Sequence, residues 1–213
     1  MNIKAVLFDF DGTFMDTEPA IFAAYSHLFR TYRTIEEFTP EKKVSVLGPS
    51  LEVMIGKYFP DHDTAKLVDE YRVYQRTFAM DTIVPMEHAE TLAAWLRANG
   101  YKTGFVSSRR HDSMMPILEK LQMQDYFDVI VGREDITHEK PHPEGIQRAM
   151  ELLGTKDVMY VGDSPSDILA GKNAGVITAA YITNEGKRAA VLETEPDIVL
   201  DDLLQLKEYL LKQ

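Results

Sequence analysis

The 213 residues carry a formal net charge of −11 and are 27% charged and 45% hydrophobic. That supplies a real core but is too acidic for broad nucleic-acid binding, which depends on Lys and Arg neutralising phosphates. No cysteine is present, which excludes disulfides, thiolate metal sites and cysteine nucleophiles and fits a reducing compartment. No apolar run nears the roughly 20 residues of a bilayer-crossing helix, and the first one leads into two aspartates rather than a secretory leader. The expectation is a soluble, cytoplasmic monomer with no membrane or nucleic-acid partner.

Residues 3 to 8 (Ile-Lys-Ala-Val-Leu-Phe) read as a short buried strand. Asp9 and Asp11 come next, two positions apart, so on an extended segment both face one side, where a hard cation such as Mg²⁺ can draw oxygen ligands. Gly12 then permits a tight turn. The plainer alternative is a turn with an Asp capping the next helix. Asp16 or Thr17 caps a helix with Pro19 in its first turn and apolar residues from Ile21 to Tyr32 at helical spacing. Beyond it, Thr39-Pro40, Gly48-Pro49-Ser50 and Phe59-Pro60-Asp61 break the chain into amphipathic pieces, among them Leu67 to Phe78. Residues 16–83 therefore read as a small helical insert.

From Val84 helices and strands alternate. A helix at 88–98 closed by Gly100, with Trp95 on its core side, is followed by a strand at 103–106, a helix at 112–122 and a strand at 128–131. A helix from near Pro143 to Gly154, a strand at 157–161, a helix at 165–173 and a strand at 176–182 come next. A helix near 186–193, a short strand at 198–200 and a terminal helix complete the chain. Repeated βα units imply an α/β fold with a parallel sheet covered on both faces. The core then comprises residues 1–15 and 84–213.

In open α/β sheets ligands bind beyond the carboxyl ends of the strands. At that edge stand Ser107-Ser108-Arg109-Arg110 after the second core strand and Lys140-Pro141-His142-Pro143 in the loop after the third. Gly162-Asp163-Ser164-Pro165-Ser166-Asp167 stands after the fourth. Each has a plainer alternative. Ser107 can cap the next helix, Lys140 can be solvated, and Gly162-Asp163-Ser164 can cap a helix with Asp167 in its first turn. His142 reads as a loop histidine outside the reaction. Jointly the clusters describe phosphoryl transfer, which needs charge stabilisation and an in-line nucleophile. Asp9 is the expected nucleophile, giving an aspartyl-phosphate, and Asp11 the acid and then base. Mg²⁺ would be held by Asp9, the Asp11 backbone carbonyl and Asp163, with Asp167 a ligand or its orienter. Lys140 would neutralise the crowded anions, and Ser107 with nearby N–H groups would hold phosphoryl oxygens.

Asp9-Phe-Asp11-Gly-Thr13, Ser107, Lys140-Pro141 and Gly162 to Asp167 resemble, in order, the four motifs of the haloacid dehalogenase-like hydrolase superfamily. The resemblance implies a Rossmann-like core of strand order 3-2-1-4-5 and Mg²⁺-dependent phosphatase chemistry on a small phosphorylated metabolite. It also implies phosphoryl contacts from Gly12, Thr13, Ser107 and Ser108. The insert after the first motif is similar to the helical cap of the branch holding phosphoglycolate phosphatases, pyrophosphatases and β-phosphoglucomutases. Phe14 stands where that family usually has Leu, and Arg109 and Arg110 come after the second motif where Asn then Lys or Ser is frequent. Arg109 and Arg110 are candidates for holding a second anionic group of the substrate, or else are solvated or pair with the many acids. Gly48, in a cap loop, is a further substrate-contact candidate or a plain helix break. A phosphosugar mutase and a non-catalytic phospho-accepting signalling domain stay open as alternatives. No G-x-x-x-x-G-K-[ST] or G-x-G-x-x-G stands in the chain, which disfavours a nucleotide-binding kinase.

Overall fold

The structure, a computed structural model, describes residues 3–212. The chain divides into two compact units, Met1–Met15 with Pro85–Gln213 and Asp16–Val84. In the first unit β1 (Ala5–Phe8) is buried at every position, as a strand covered on both faces must be. In the second, α1 (Glu18–Tyr32), α2 (Pro40–Ser45), α3 (Leu51–Tyr58) and α4 (Thr64–Tyr74) supply the helices. The two-residue strands β2 (Met15–Asp16) and β3 (Val84–Pro85) pair as a separate two-stranded sheet.

The first unit continues with α5 (Ala89–Ala98), β4 (Lys102–Val106), α6 (His111–Lys120), β5 (Val129–Val131) and α7 (Glu144–Leu153). Then come β6 (Val158–Gly162), α8 (Pro165–Ala174), β7 (Ile177–Tyr181), α9 (Glu185–Leu192), β8 (Ile198–Leu200) and α10 (Leu204–Leu210). The six-stranded sheet runs β5-β4-β1-β6-β7-β8, with every pair parallel. Counted along the core this is 3-2-1-4-5, and the strand at 198–200 extends it by one at the β7 edge.

Local chemistry explains the pairing. Gly104 in β4 lies so close to β5 that an added Cβ would stand 2.5 Å from the Val129 carbonyl oxygen, so only glycine lets these strands meet. Phe14 packs edge-on against Phe8, Phe105 and Phe127 with ring centroids 5.1–5.3 Å apart, which gives a ring rather than an aliphatic chain a purpose there. Val106, Val131, Ile146, Ala149, Leu153 and Tyr160 form a continuous cluster where α7 packs on β4 and β5. Trp95 departs from its expected core position. It is half-buried and stacks on Tyr101, with Lys207 Nζ 5.6 Å from its ring centroid.

The helical unit is held by rings: Tyr25, Phe29, Phe38, Phe59 and Tyr71 share one buried cluster with Leu28, Ile55 and Leu67. The expected amphipathic run from Leu67 to Phe78 is cut short. The backbone loosens into a π-helical turn at Gln75–Ala79, shifting the helical phase, and Phe78 ends 70% exposed.

The strand register aligns the ends of the core strands. Phe8 lies level with Phe105 on β4 and Val161 on β6, while Val106 lies level with Val131 on β5. The chain leaving β1, β4, β5 and β6 therefore does so at one edge, and the polar clusters sit immediately beyond it.

Candidate active site

Asp9 is the first residue past β1, anchored by its N–H donating to the Val161 carbonyl at 2.8 Å. Lys140, on the loop between β5 and α7, is 8% exposed in its side chain and donates three ways. Its Nζ lies 2.8 Å from Asp9 Oδ1, 2.6 Å from Asp167 Oδ1 and 3.1 Å from the Tyr160 hydroxyl. The Tyr160 hydroxyl donates to the Val106 carbonyl at 2.9 Å. Asp167 serves two purposes at once. Its Oδ2 accepts from the Ser164 N–H (3.1 Å) and hydroxyl (2.5 Å), closing a capping box at the start of α8. Its Oδ1 faces Lys140. The helix-cap alternative and the site role thus both hold for this residue, one on each oxygen.

Asp163, on the turn after β6, accepts from Thr13 Oγ1 (3.3 Å) on Oδ1 and from Lys187 Nζ (2.5 Å) on Oδ2. Gly12, at φ +79°, lets the turn after Asp11 come close, since a Cβ there would stand 2.8 Å from Asp163 Oδ2. The Asp11 carboxylate is gripped by Arg109, with Nε 3.0 and 3.1 Å from its two oxygens and Nη2 2.7 Å from Oδ1. Arg109 therefore pairs with an acid, one of its plainer alternatives, but with the acid beside Asp9, while Arg110 pairs with Asp112 at 3.5 Å. Ser107 is buried and does not cap α6, whose N-cap is Arg110. Its hydroxyl accepts from the Arg109 N–H at 3.1 Å, and its own N–H donates to the Val131 carbonyl. Ser108 is half-buried next to it. Gly48 lies in the helical unit between α2 and α3 at φ +107°, a backbone conformation that favours glycine.

Crowding polarises these groups. Burial, with the charges of Asp167, Asp163 and Asp11 added, pushes the Asp9 carboxyl up to about 8 although Lys140 opposes the shift. Burial likewise raises Asp163 against the pull of Lys187. Asp167 is the reverse case: burial works against its charge, yet Lys140 and the Ser164 hydrogen bonds hold it below the usual carboxylate range. Lys140 is driven down by burial but held well above the ordinary lysine range by Asp167 and Asp9.

Asp9, Asp163 and Asp167 each offer an oxygen, all within 4.8 Å of one another and all buried. If all three carboxylates ionise they exceed the two ammonium groups beside them, Lys140 and Lys187, by one charge, and a cation bound there would favour the ionised form of Asp9 that burial opposes. An all-oxygen, net-negative, enclosed donor set suits a small hard cation. Asp163 and Asp167 each have both oxygens hydrogen-bonded, whereas Asp9 is held by Lys140 through Oδ1, so Asp9 is the better-placed ligand and an ion would reach Asp163 by displacing Lys187 or Thr13.

Lys187 and Tyr160 do not stand out in the sequence. The chain beyond β7 does carry Asn184-Glu185-Gly186-Lys187 to the same edge, and its position after a strand is the signal that could have found the lysine. Tyr160 lies inside an apolar strand, where only its buried hydroxyl distinguishes it from a packing ring.

A doubly covered parallel sheet with buried acids and a lysine converging at its carboxyl edge defines an α/β enzyme core of Rossmann-like topology. Residues 6–181 match the haloacid dehalogenase-like hydrolase family. Pyrophosphatase PpaX of Bacillus cereus is 32% identical over 208 residues, which is 97% of this chain and 95% of that protein. PpaX of Bacillus anthracis is 33% identical over the same span. A haloacid dehalogenase-like family protein from Streptococcus pneumoniae superposes with a TM-score of 0.84 at 21% identity, covering 98% of each chain. The chain belongs to the haloacid dehalogenase-like hydrolase family, and it is an enzyme of that hydrolase class.

Proposed function

We propose that the protein is a Mg²⁺-dependent phosphatase that transfers the phosphoryl group of a small anionic metabolite to Asp9 and then to water. The observation that carries this reading is the buried Lys140 ammonium joined to both Asp9 and Asp167 at the sheet edge. A lysine so placed neutralises anions at the point where a phosphoryl group would add more, and a surface role does not explain its burial. Asp9 and Asp163 would hold the ion with the Asp11 backbone carbonyl; when bound, it supplies positive charge for the phosphoryl oxygens.

In the first half-reaction an Asp9 carboxylate oxygen attacks phosphorus, the bond from phosphorus to the leaving oxygen breaks, and Asp11 gives that oxygen its proton. In the second, Asp11 takes a proton from water as the water oxygen attacks phosphorus, releasing phosphate and regenerating Asp9. The Arg109 pair must open for Asp11 to carry a proton. A substrate with a second anionic group draws Arg109 away from Asp11, which couples binding to the acid's release. Ser107, Ser108, Gly12 and Thr13 line the same edge and contact the phosphoryl oxygens in this reading, while Gly48 in the helical unit is a substrate contact only if that unit closes over the edge.

Inorganic pyrophosphate is the first substrate to try, because the Bacillus relatives are named pyrophosphatases and pyrophosphate carries the second anion that Arg109 needs. Phosphate release from pyrophosphate, phosphoglycolate, hexose phosphates and nucleoside monophosphates, each with Mg²⁺ and with chelator, tests the reading. Turnover of at least one that Mg²⁺ restores after chelation is expected. Turnover unaffected by chelator, or isomer formation from a hexose phosphate without phosphate release, contradicts it.

A further inference from the structure

The loop that delivers Lys140 into the buried cluster carries different chemistry on its exposed side. His138, His142 and Glu144 each offer a ligand atom within 4.8 Å of the others. His138 Nδ1 lies 2.9 Å and His142 Nδ1 3.9 Å from the same oxygen, Glu144 Oε2, and the two rings are 4.5 Å apart between centroids. Donors around a tetrahedral ion with bonds of about 2.0–2.1 Å stand about 3.3 Å apart, a value these two separations bracket. Small side-chain rotations close such a set.

The Glu144 N–H donates to the lone pair of His142 Nδ1 at 3.2 Å, and His138 Nδ1 donates to Glu144 Oε2 at 2.9 Å; an ion would take the place of the N–H on the first and of the proton on the second. The Glu144 carboxylate is fixed by the backbone N–H groups of Thr137 (2.8 Å) and His138 (2.9 Å), so one ligand is already oriented. Those bonds hold its pKa down to about 2, leaving it ionised wherever imidazole is neutral. The side chains of His138 and His142 are 63% and 48% exposed, which gives an ion entry and room for water ligands.

We propose that His138, His142 and Glu144 form a binding site for a divalent transition-metal ion of the Zn²⁺ type. Two imidazoles and a carboxylate select such an ion over Mg²⁺, whereas the all-oxygen cluster around Asp9 selects the reverse. His138 and His142 flank Lys140 by two residues on either side, so the ion ties the loop together behind the lysine. The site stands whether or not the phosphatase reading holds.

Zn²⁺ titration of the full-length ¹⁵N-labelled protein under saturating Mg²⁺, read from imidazole ¹⁵N resonances, tests it. His138 and His142 are expected to shift together and saturate at one equivalent, while His27, His62, His88 and His111 stay unmoved. All four controls, His27, His62, His88 and His111, each face a single carboxylate and so report what one acid neighbour achieves alone. His142→Asn and His138→Asn should each weaken binding at least tenfold. Glu144→Gln should do so too, but Glu144 also pins the loop, so the histidine variants decide. Resonances unmoved at millimolar Zn²⁺, all six histidines shifting alike, or unchanged affinity in both histidine variants would overturn the site and leave only an ion pair stapling the loop.

Discussion

The sheet edge and the helical unit solve opposite problems with the same chain. At the edge, Asp9, Lys140, Asp163 and Asp167 are nearly as buried as the strands below them. Charge is kept on Lys140 and Asp167, bonded at 2.6 Å, while burial raises Asp9 and Asp163 against their lysine partners. In the helical unit the buried cluster is apolar and aromatic, and charges such as Glu52 with Arg72 sit in exposed pairs. Burying paired charge stabilises little and often costs stability, whereas burying rings contributes directly. Neutralising one acid at the edge, as in Asp9→Asn, should therefore alter chemistry with modest effects on folding, whereas removing Lys140 also strands buried carboxylates; changes in the helical unit should act on folding alone.

The largest expected effect is on turnover. Asp9→Asn removes the nucleophile and is predicted to lower kcat by about 10⁴-fold or more with the circular dichroism spectrum unchanged. A variant that kept near-normal phosphate release would erase the distinction between the two regions. Phe29→Ala should show the converse: loss of a ring stacked on Phe38 and packed by Phe59 costs about 3–5 kcal/mol in denaturant unfolding. Lys140→Ala is expected to lower kcat by about 10²–10³-fold. Loss of stability without loss of kcat would return the lysine to a purely structural part.

The smallest expected effect concerns Glu144. Its folded pKa lies below the ordinary carboxylate value, so its contribution to stability is complete above about 4.5 and is lost as pH falls toward about 2. A carboxyl ¹³C titration should give a midpoint near 2 that rises in a variant lacking His138. An ordinary midpoint in the parent protein would mean that the backbone bonds from Thr137 and His138 do not persist in solution.

The two regions also differ in how far the amino-acid order can be read. Asp9, Asp163 and Asp167 are legible because polar residues directly after apolar strands have few structural reasons to be there, and the register brings them together. Lys187 is not, because a lysine near the start of a helix looks solvated. Nothing in the local sequence says that its side chain turns back to an aspartate 24 residues away. The bidentate grip of Arg109 on Asp11 spans 98 residues and is equally hidden, although the guanidinium itself is conspicuous. In the helical unit the breakers and apolar spacing reveal helices, but the π-helical turn that exposes Phe78 carries no compositional mark. Apolar pattern reports packing; it is silent about what such a unit binds.

The central claim, that Asp9 itself carries the phosphoryl group, is tested most directly by trapping it. Acid-quenched turnover followed by borohydride reduction and peptide mass spectrometry should convert Asp9, and no other aspartate, to homoserine. Reduction at another residue, or none in an enzyme that is demonstrably turning over, would contradict the account.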